Sequence, residues 1–154
     1  MSNQQQQPSI GGVRLLKLNQ FRDERGAVYQ YIKKSSNEFD AFGEVYFSKI
    51  LFNVVKGWKF HKESIQNLCV PYGKLRIVLF DDRIESSTRG MIDEILLDDT
   101  DEYYLLTIPP KIWYSFKSVS SDFTLLTNLI NIEHDNTESE SLPIVNDIIP
   151  YEWK

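Results

Sequence analysis

His61 and His134 are the only imidazoles in the chain, and His61 stands in GWKFHKESIQNLCVPYG, residues 57–73, with Lys59, Gln66 and Asn67 close by. With the two-residue period of a strand, Gly57, Lys59 and His61 point to one face and Trp58 and Phe60 to the other. Two side chains able to hold or move a proton then share a surface. If that surface lines a barrel, it is an active site; if it meets water, the commoner fate of polar side chains, it is one face of an amphipathic strand.

The chemistry on offer is narrow. A mononuclear metal site assembles three or four His, Cys or carboxylate ligands. Here an ammonium stands two residues before His61, where it opposes a cation, and His134 falls in the polar loop sequence IEHDN. No metal and no other cofactor is expected. No serine lies in a strained glycine elbow, and Cys69, the single cysteine, sits in an apolar run and reads as a buried, inert thiol. Acid/base chemistry remains. A neutral imidazole titrates near working pH, and a neighbouring ammonium lowers its pKa and stabilises a developing enolate. In IPPKIWYSF, alternation separates Tyr114 and Phe116 from Trp113 and Ser115, and the tip of Tyr114 is a candidate acid or hydrogen-bond donor. Arg14, Arg25, Lys56, Lys59 and Lys62 are scattered cations that could gather round a diphosphate, although each alone reads as a surface charge.

These side chains have to be positioned by strands. Runs rich in Val, Ile, Leu, Phe and Tyr recur at 13–18, 27–32, 44–52, 54–61, 65–70, 74–80, 92–97, 102–108, 112–119 and 123–132, separated by turn residues. Such spacing predicts an all-β antiparallel sandwich or barrel. FRDERG at 21–26 reads as a turn, DDTDEYY at 98–104 as a hairpin turn, and 35–42 and 136–141 as sites for at most a turn or two of helix. Residues 1–12, rich in Gln, Pro and Gly, read as a mobile arm, and 13–154 as one barrel domain whose last segment, SLPIVNDIIPYEWK, is a strap laid on it.

The composition fits one globular domain, with 42% hydrophobic residues in 154. A net charge of -5 argues against nucleic acid or an anionic membrane as partner, while leaving room for a small anion held by a local cluster. The N-terminus lacks the basic and apolar blocks of a secretion signal, no apolar run approaches the roughly 20 residues of a membrane span, and a cytoplasmic protein is expected.

The segments DERGAVYQ (23–30), VVKGWKFH (54–61), YGKLRIVLFDDR (72–83), IPPKIWYSF (108–116) and IPYEW (149–153), in this order, resemble the cupin-fold sugar-nucleotide epimerases, the dTDP-4-dehydrorhamnose 3,5-epimerases. The resemblance implies a double-stranded β-helix (jelly-roll) barrel, a homodimer, no metal, and removal of a proton beside the ketone of a 4-keto-6-deoxy sugar nucleotide in bacterial surface polysaccharide synthesis. It puts Lys56 and Gly57 on the family's arginine–glycine pair, with Lys56 and Arg25 as diphosphate contacts. Gln30 falls where the family has a glutamate, Gln66 where it has a substrate-binding lysine, Tyr114 on a histidine of the proline-rich motif, and Thr127 where the acid tyrosine is expected. The C-terminal segment that in full-length epimerases carries an aspartate paired with the catalytic histidine has no counterpart before Lys154. Gly57, Lys59, His61, Lys62, Gln66 and Gly73 also resemble, without a gap, the pattern of the sugar-nucleotide 3,4-ketoisomerases, with Lys59 in place of the first of two histidines. Both resemblances imply His61 as base, and with it Lys59 is expected as electrostatic stabiliser and Tyr114 as donor, with Arg25, Gln30, Lys56, Gln66 and Asn67 as expected substrate contacts. A cupin that binds a sugar nucleotide without catalysis is the remaining alternative.

Overall fold

The structure, a computed structural model, describes residues 6–154. Alternating apolar positions make the strands, and the described residues contain twelve: β1 (Arg14–Lys17), β2 (Gln20–Asp23), β3 (Gly26–Tyr29), β4 (Glu44–Leu51), β5 (Val55–His61), β6 (Gln66–Tyr72), β7 (Lys74–Asp81), β8 (Ile92–Asp98), β9 (Tyr104–Ile108), β10 (Ile112–Ser118), β11 (Phe123–Ile130) and β12 (Ser139–Ser141). One five-stranded sheet has the order β1-β9-β6-β11-β4, a second the order β12-β5-β10-β7-β8, and β2–β3 forms a separate hairpin. All pairings are antiparallel. The two larger sheets close a jelly-roll barrel around Ile50, Leu68, Leu75, Ile77, Leu106 and Leu126, drawn from both walls and all almost wholly buried. Among the described residues no helix is long and apolar enough to cross a membrane.

The strap is present. Trp58, Val78, Phe80 and Trp113 form a second cluster on the outer face of the β5-β10-β7 wall, and Ile149, Leu142, Tyr151 and Trp153 pack over it. Trp58 Nε1 donates to the Ile144 carbonyl, and Trp153 Nε1 donates to Ser115 Oγ at 2.9 Å. Covering Trp58 from outside forces the alternate residues of β5 inward, which is what the site requires.

Five stretches add detail to the expectations or correct them. FRDERG is not all turn, because Gln20–Asp23 pairs with Gly26–Tyr29 and leaves only Glu24 and Arg25 at the bend. Residues 35–42 form turns and no helix, and 139–141 pair with β5 as a strand. The acidic run after β8 does not close a hairpin: β8 pairs with β7 while β9 pairs with β1 and β6, so the run carries the chain from one sheet to the other. Asp98 shapes it by accepting from the Thr100 and Glu102 amides. Of the expected N-terminal arm, residues 1–5 lie outside the described residues. The rest is tied to β8, with both ends of the Gln6 amide on the Leu96 backbone, Asp93 accepting from the Ser9 and Ile10 amides, and Ile10 in the core.

Candidate active site

Gly57 sets the geometry of β5. Its φ is +121°, and a Cβ there would lie 2.5 Å from Cβ of Ser115 on β10, so only glycine lets the two strands approach this closely. The β5–β10 register shifts between Tyr114 and Ser115, which places Lys59 directly opposite Tyr114. Cross-strand partners present their side chains on the same face, and His61 follows on that face two residues later.

His61 is buried, with 5% of its surface exposed, and both ring nitrogens are engaged. Nδ1 lies 2.9 Å from Oε2 of Glu138, and Nε2 lies 3.1 Å from the Tyr114 hydroxyl. Glu138 comes from the approach to β12 and is fixed by that strand's pairing with β5, by the bond from the Lys62 amide to its carbonyl, and by the Ser64 amide on Oε1. Burial opposes ionisation of Glu138, but the bonds from His61 and Ser64 outweigh it and hold the carboxyl below its usual range. An ionised carboxylate only accepts, so Nδ1 of His61 carries the proton and donates it. Burial, aided by Lys59, draws the imidazole below its ordinary value against the pull of Glu138, so the ring is neutral with its lone pair on Nε2. Burial pushes the Tyr114 phenol upward, so it remains protonated and donates to that lone pair. The result is a directed chain, Tyr114 O–H to His61 to Glu138.

Tyr114 opens on a cavity of about 280 Å³ inside the barrel, with Lys56 and Lys59 of β5, Tyr46 and Ser48 of β4, Phe116 of β10, and Leu126 and Asn128 of β11 as further walls. The volume is at the small end for ligand pockets, suited to one sugar-sized ring. Of the residues singled out from sequence, Lys56, Lys59 and Tyr114 line this cavity and His61 stands behind Tyr114. Gln66 is 1% exposed and bonds Ser64 and Asn128, forming support beneath the cavity. Asn67 faces elsewhere, its amide tied to the Glu38 carbonyl and the Thr107 hydroxyl. Arg25 projects from the tip of the β2–β3 hairpin, paired with Asp23, and Gln30 bonds Asn19. Lys62 pairs with Glu140 on the surface, and His134 is an exposed loop residue bonded to Asn136. Cys69 is buried, with its thiol pushed up to about 12 by burial.

Three site residues were not singled out from the sequence. Glu138 lies in a stretch that reads as solvated turn. Tyr46 could have been found, because alternation in β4 sets Tyr46, Ser48 and Ile50 inward against the more exposed Val45, Phe47 and Lys49. Asn128 is the polar side chain β11 turns into the cavity, whereas Thr127, where the resemblance put an acid tyrosine, lines a groove on the outer face with Cys69.

A hydrogen-bonded Tyr114–His61–Glu138 chain thus stands behind a cavity inside a cupin-type barrel. Residues 11–139 match the family model FdtA, described as WxcM-like, C-terminal, and the chain belongs to that family. Among solved structures it is similar to a dTDP sugar isomerase from Desulfovibrio desulfuricans G20, with a TM-score of 0.91 and 38% identity, covering 94% of this chain and 92% of that one. It shares its fold with a dTDP-4-dehydrorhamnose 3,5-epimerase from Bacillus anthracis, solved with TDP and pyrophosphate bound, at a TM-score of 0.84 and 17% identity over 96% of this chain and 87% of the other. In sequence it is 28% identical over 150 residues to a probable low-salt glycan biosynthesis epimerase, Agl13, of Haloferax volcanii, covering 95% of this chain and 96% of the relative.

Proposed function

We propose that the protein is a sugar-nucleotide isomerase of polysaccharide synthesis, acting in the cytoplasm on a dTDP-linked 4-keto-6-deoxy sugar by moving a proton on a carbon beside the ketone. The observation that carries this is the Tyr114–His61–Glu138 chain opening on the cavity. The phenol oxygen takes the proton from carbon as its own proton passes to Nε2, leaving an imidazolium held by Glu138 and an enolate facing the Lys59 ammonium. Reversal returns a proton to the substrate. Lys56, which lines the cavity, is the proposed diphosphate contact, with Arg25 and Gln30 of the hairpin region as candidate contacts from a second subunit.

Ketone migration between C3 and C4 is the first reading, because the relay occupies one wall and β11 offers an amide in place of an acid. Epimerisation is the second, favoured by Tyr46, whose hydroxyl accepts from Asn128 and keeps its own proton for the cavity. The test is incubation with dTDP-4-keto-6-deoxyglucose in deuterated water, followed by NMR. Exchange at C3 with ketone migration supports the isomerase, exchange at C3 and C5 with inversion supports the epimerase, and binding without exchange removes catalysis.

A homodimer is part of this reading. The outer face of β4 presents Val45, Phe47 and Leu51 at 40%, 63% and 59% exposure, beside Phe42 and Phe52. An edge strand whose outer face is largely apolar and exposed is suited to burial by a second copy, and light scattering of a Phe47→Glu variant as monomer against a wild-type dimer checks it.

A further inference from the structure

Asn128 carries a buried oxygen with nothing to accept. The residue is 3% exposed, and its Oδ1 is the one buried side-chain polar atom among the described residues without a hydrogen-bond partner. Its orientation is not free. Nδ2 donates to the Tyr46 hydroxyl at 3.0 Å and to Oε1 of Gln66, and Gln66 is held in turn by its Nε2 donating to Ser64 Oγ at 2.7 Å. The amide nitrogen is thus committed to Tyr46 and Gln66, and the oxygen remains buried and without a partner in a residue that lines the cavity with Tyr114 and Lys59. Burying an acceptor unpaired costs free energy, and a ligand that donates to it recovers that cost on binding.

The cavity's two walls say which donor fits. Tyr114 and Lys59 come from β10 and β5 in one sheet, and Asn128 and Tyr46 from β11 and β4 in the other. A tetrahedral carbon that offers its C–H to one wall points its hydroxyl away from that wall. We infer that Asn128 Oδ1 accepts the hydroxyl borne by the carbon that loses its proton to the Tyr114–His61 pair, and so selects keto sugars hydroxylated beside the ketone. This inference rests on the reading of the substrate as a keto sugar nucleotide and adds a specificity residue to it. A site built to bond a hydroxyl discriminates against the analogue lacking it, because its own polar group is then left unpaired.

The test measures affinities of dTDP-4-keto-6-deoxyglucose and its 3-deoxy analogue for the wild type, Asn128→Leu, Asn128→Ala and Asn128→Asp by calorimetry, with dTDP alone as reference. The wild type is expected to prefer the hydroxylated sugar by about tenfold or more, the Leu and Ala variants to lose that preference, and Asp, which keeps an acceptor, to retain it. The preference is a ratio read within each protein, so a partial loss of folding, which weakens both sugars alike, cancels. An unchanged preference in Asn128→Leu and Asn128→Ala, or no preference in the wild type, overturns the inference. If the wild type binds dTDP but neither sugar, the substrate reading itself falls.

Discussion

Oε2 of Glu138 sits 2.9 Å from Nδ1 of His61, a contact made across 77 residues of chain and sealed from solvent on both sides. It fixes which ring nitrogen holds the proton and so leaves Nε2 as the base. Without it a buried neutral imidazole has two tautomers of similar energy, and only one can accept from Tyr114.

Glu138→Gln keeps the shape and an oxygen for the Ser64 amide but removes the charge that favours the imidazolium. The expected result is a loss of about 10²-fold in kcat with little change in dTDP affinity, read by steady-state kinetics and calorimetry. The same change lets burial and Lys59 draw His61 further down, so the acid limb of the pH–rate profile moves to lower pH.

The wild-type profile has a definite sign. Burial sets the folded pKa of His61 below the ordinary 6.5, so the active neutral ring persists as pH falls past 6.5 and is lost only as pH passes through the depressed value. Its contribution to stability is complete above 6.5 and disappears over the same descent, because the unfolded chain then binds the proton more readily. Lys59→Met removes a charge that depresses the ring, so the acid limb should move up. A limb that stays fixed in this variant means that Lys59 and His61 are not electrically coupled.

Tyr114→Phe removes one oxygen from the core of the relay. Deuterium exchange from solvent into the bound sugar should fall below detection while the sugar nucleotide still binds. Stability should drop by about 1–2 kcal/mol, since His61 Nε2 is left buried without its donor. Denaturant unfolding of the variant supplies that number independently of activity.

The inward facing of Lys59 and His61 was legible from alternation, because Trp58 and Phe60 are large and apolar and are taken up by the strap, but the register shift sets Lys56, opposite Phe116, on the cavity wall and pairs Gly57 with Ser115 instead. Glu138 was not legible, since local sequence says nothing of a partner brought in by the pairing of a three-residue strand with β5. Asn128 and Thr127 exchange places for a different reason. β11 pairs with β4 without a break from Phe123 to Ile130, so strict alternation sets Leu126 and Asn128 inward and leaves Thr127 on the outer face. The consequence is testable. Installing the missing phenol as Thr127→Tyr should leave proton exchange unchanged, because that side chain enters the outer groove beside Cys69.

Gly57 connects the fold to the chemistry. The next residues of β5 can face Tyr114 and Glu138 only if the strand passes within reach of Ser115, and the φ of +121° at Gly57 is one that residues with a Cβ rarely adopt. Gly57→Ala therefore meets two costs together, the unfavourable φ and a Cβ pressed to 2.5 Å from that of Ser115. A stability loss of about 2–4 kcal/mol is expected from strain and overpacking. Ser115→Gly in the same chain removes one struck atom but leaves the Ser115 Cα at 2.7 Å and the φ strain, so it should recover only a small part of the stability and of the exchange activity. If Gly57→Ala keeps wild-type stability and exchange activity, the approach of the two strands is not what holds Lys59 and His61 in place.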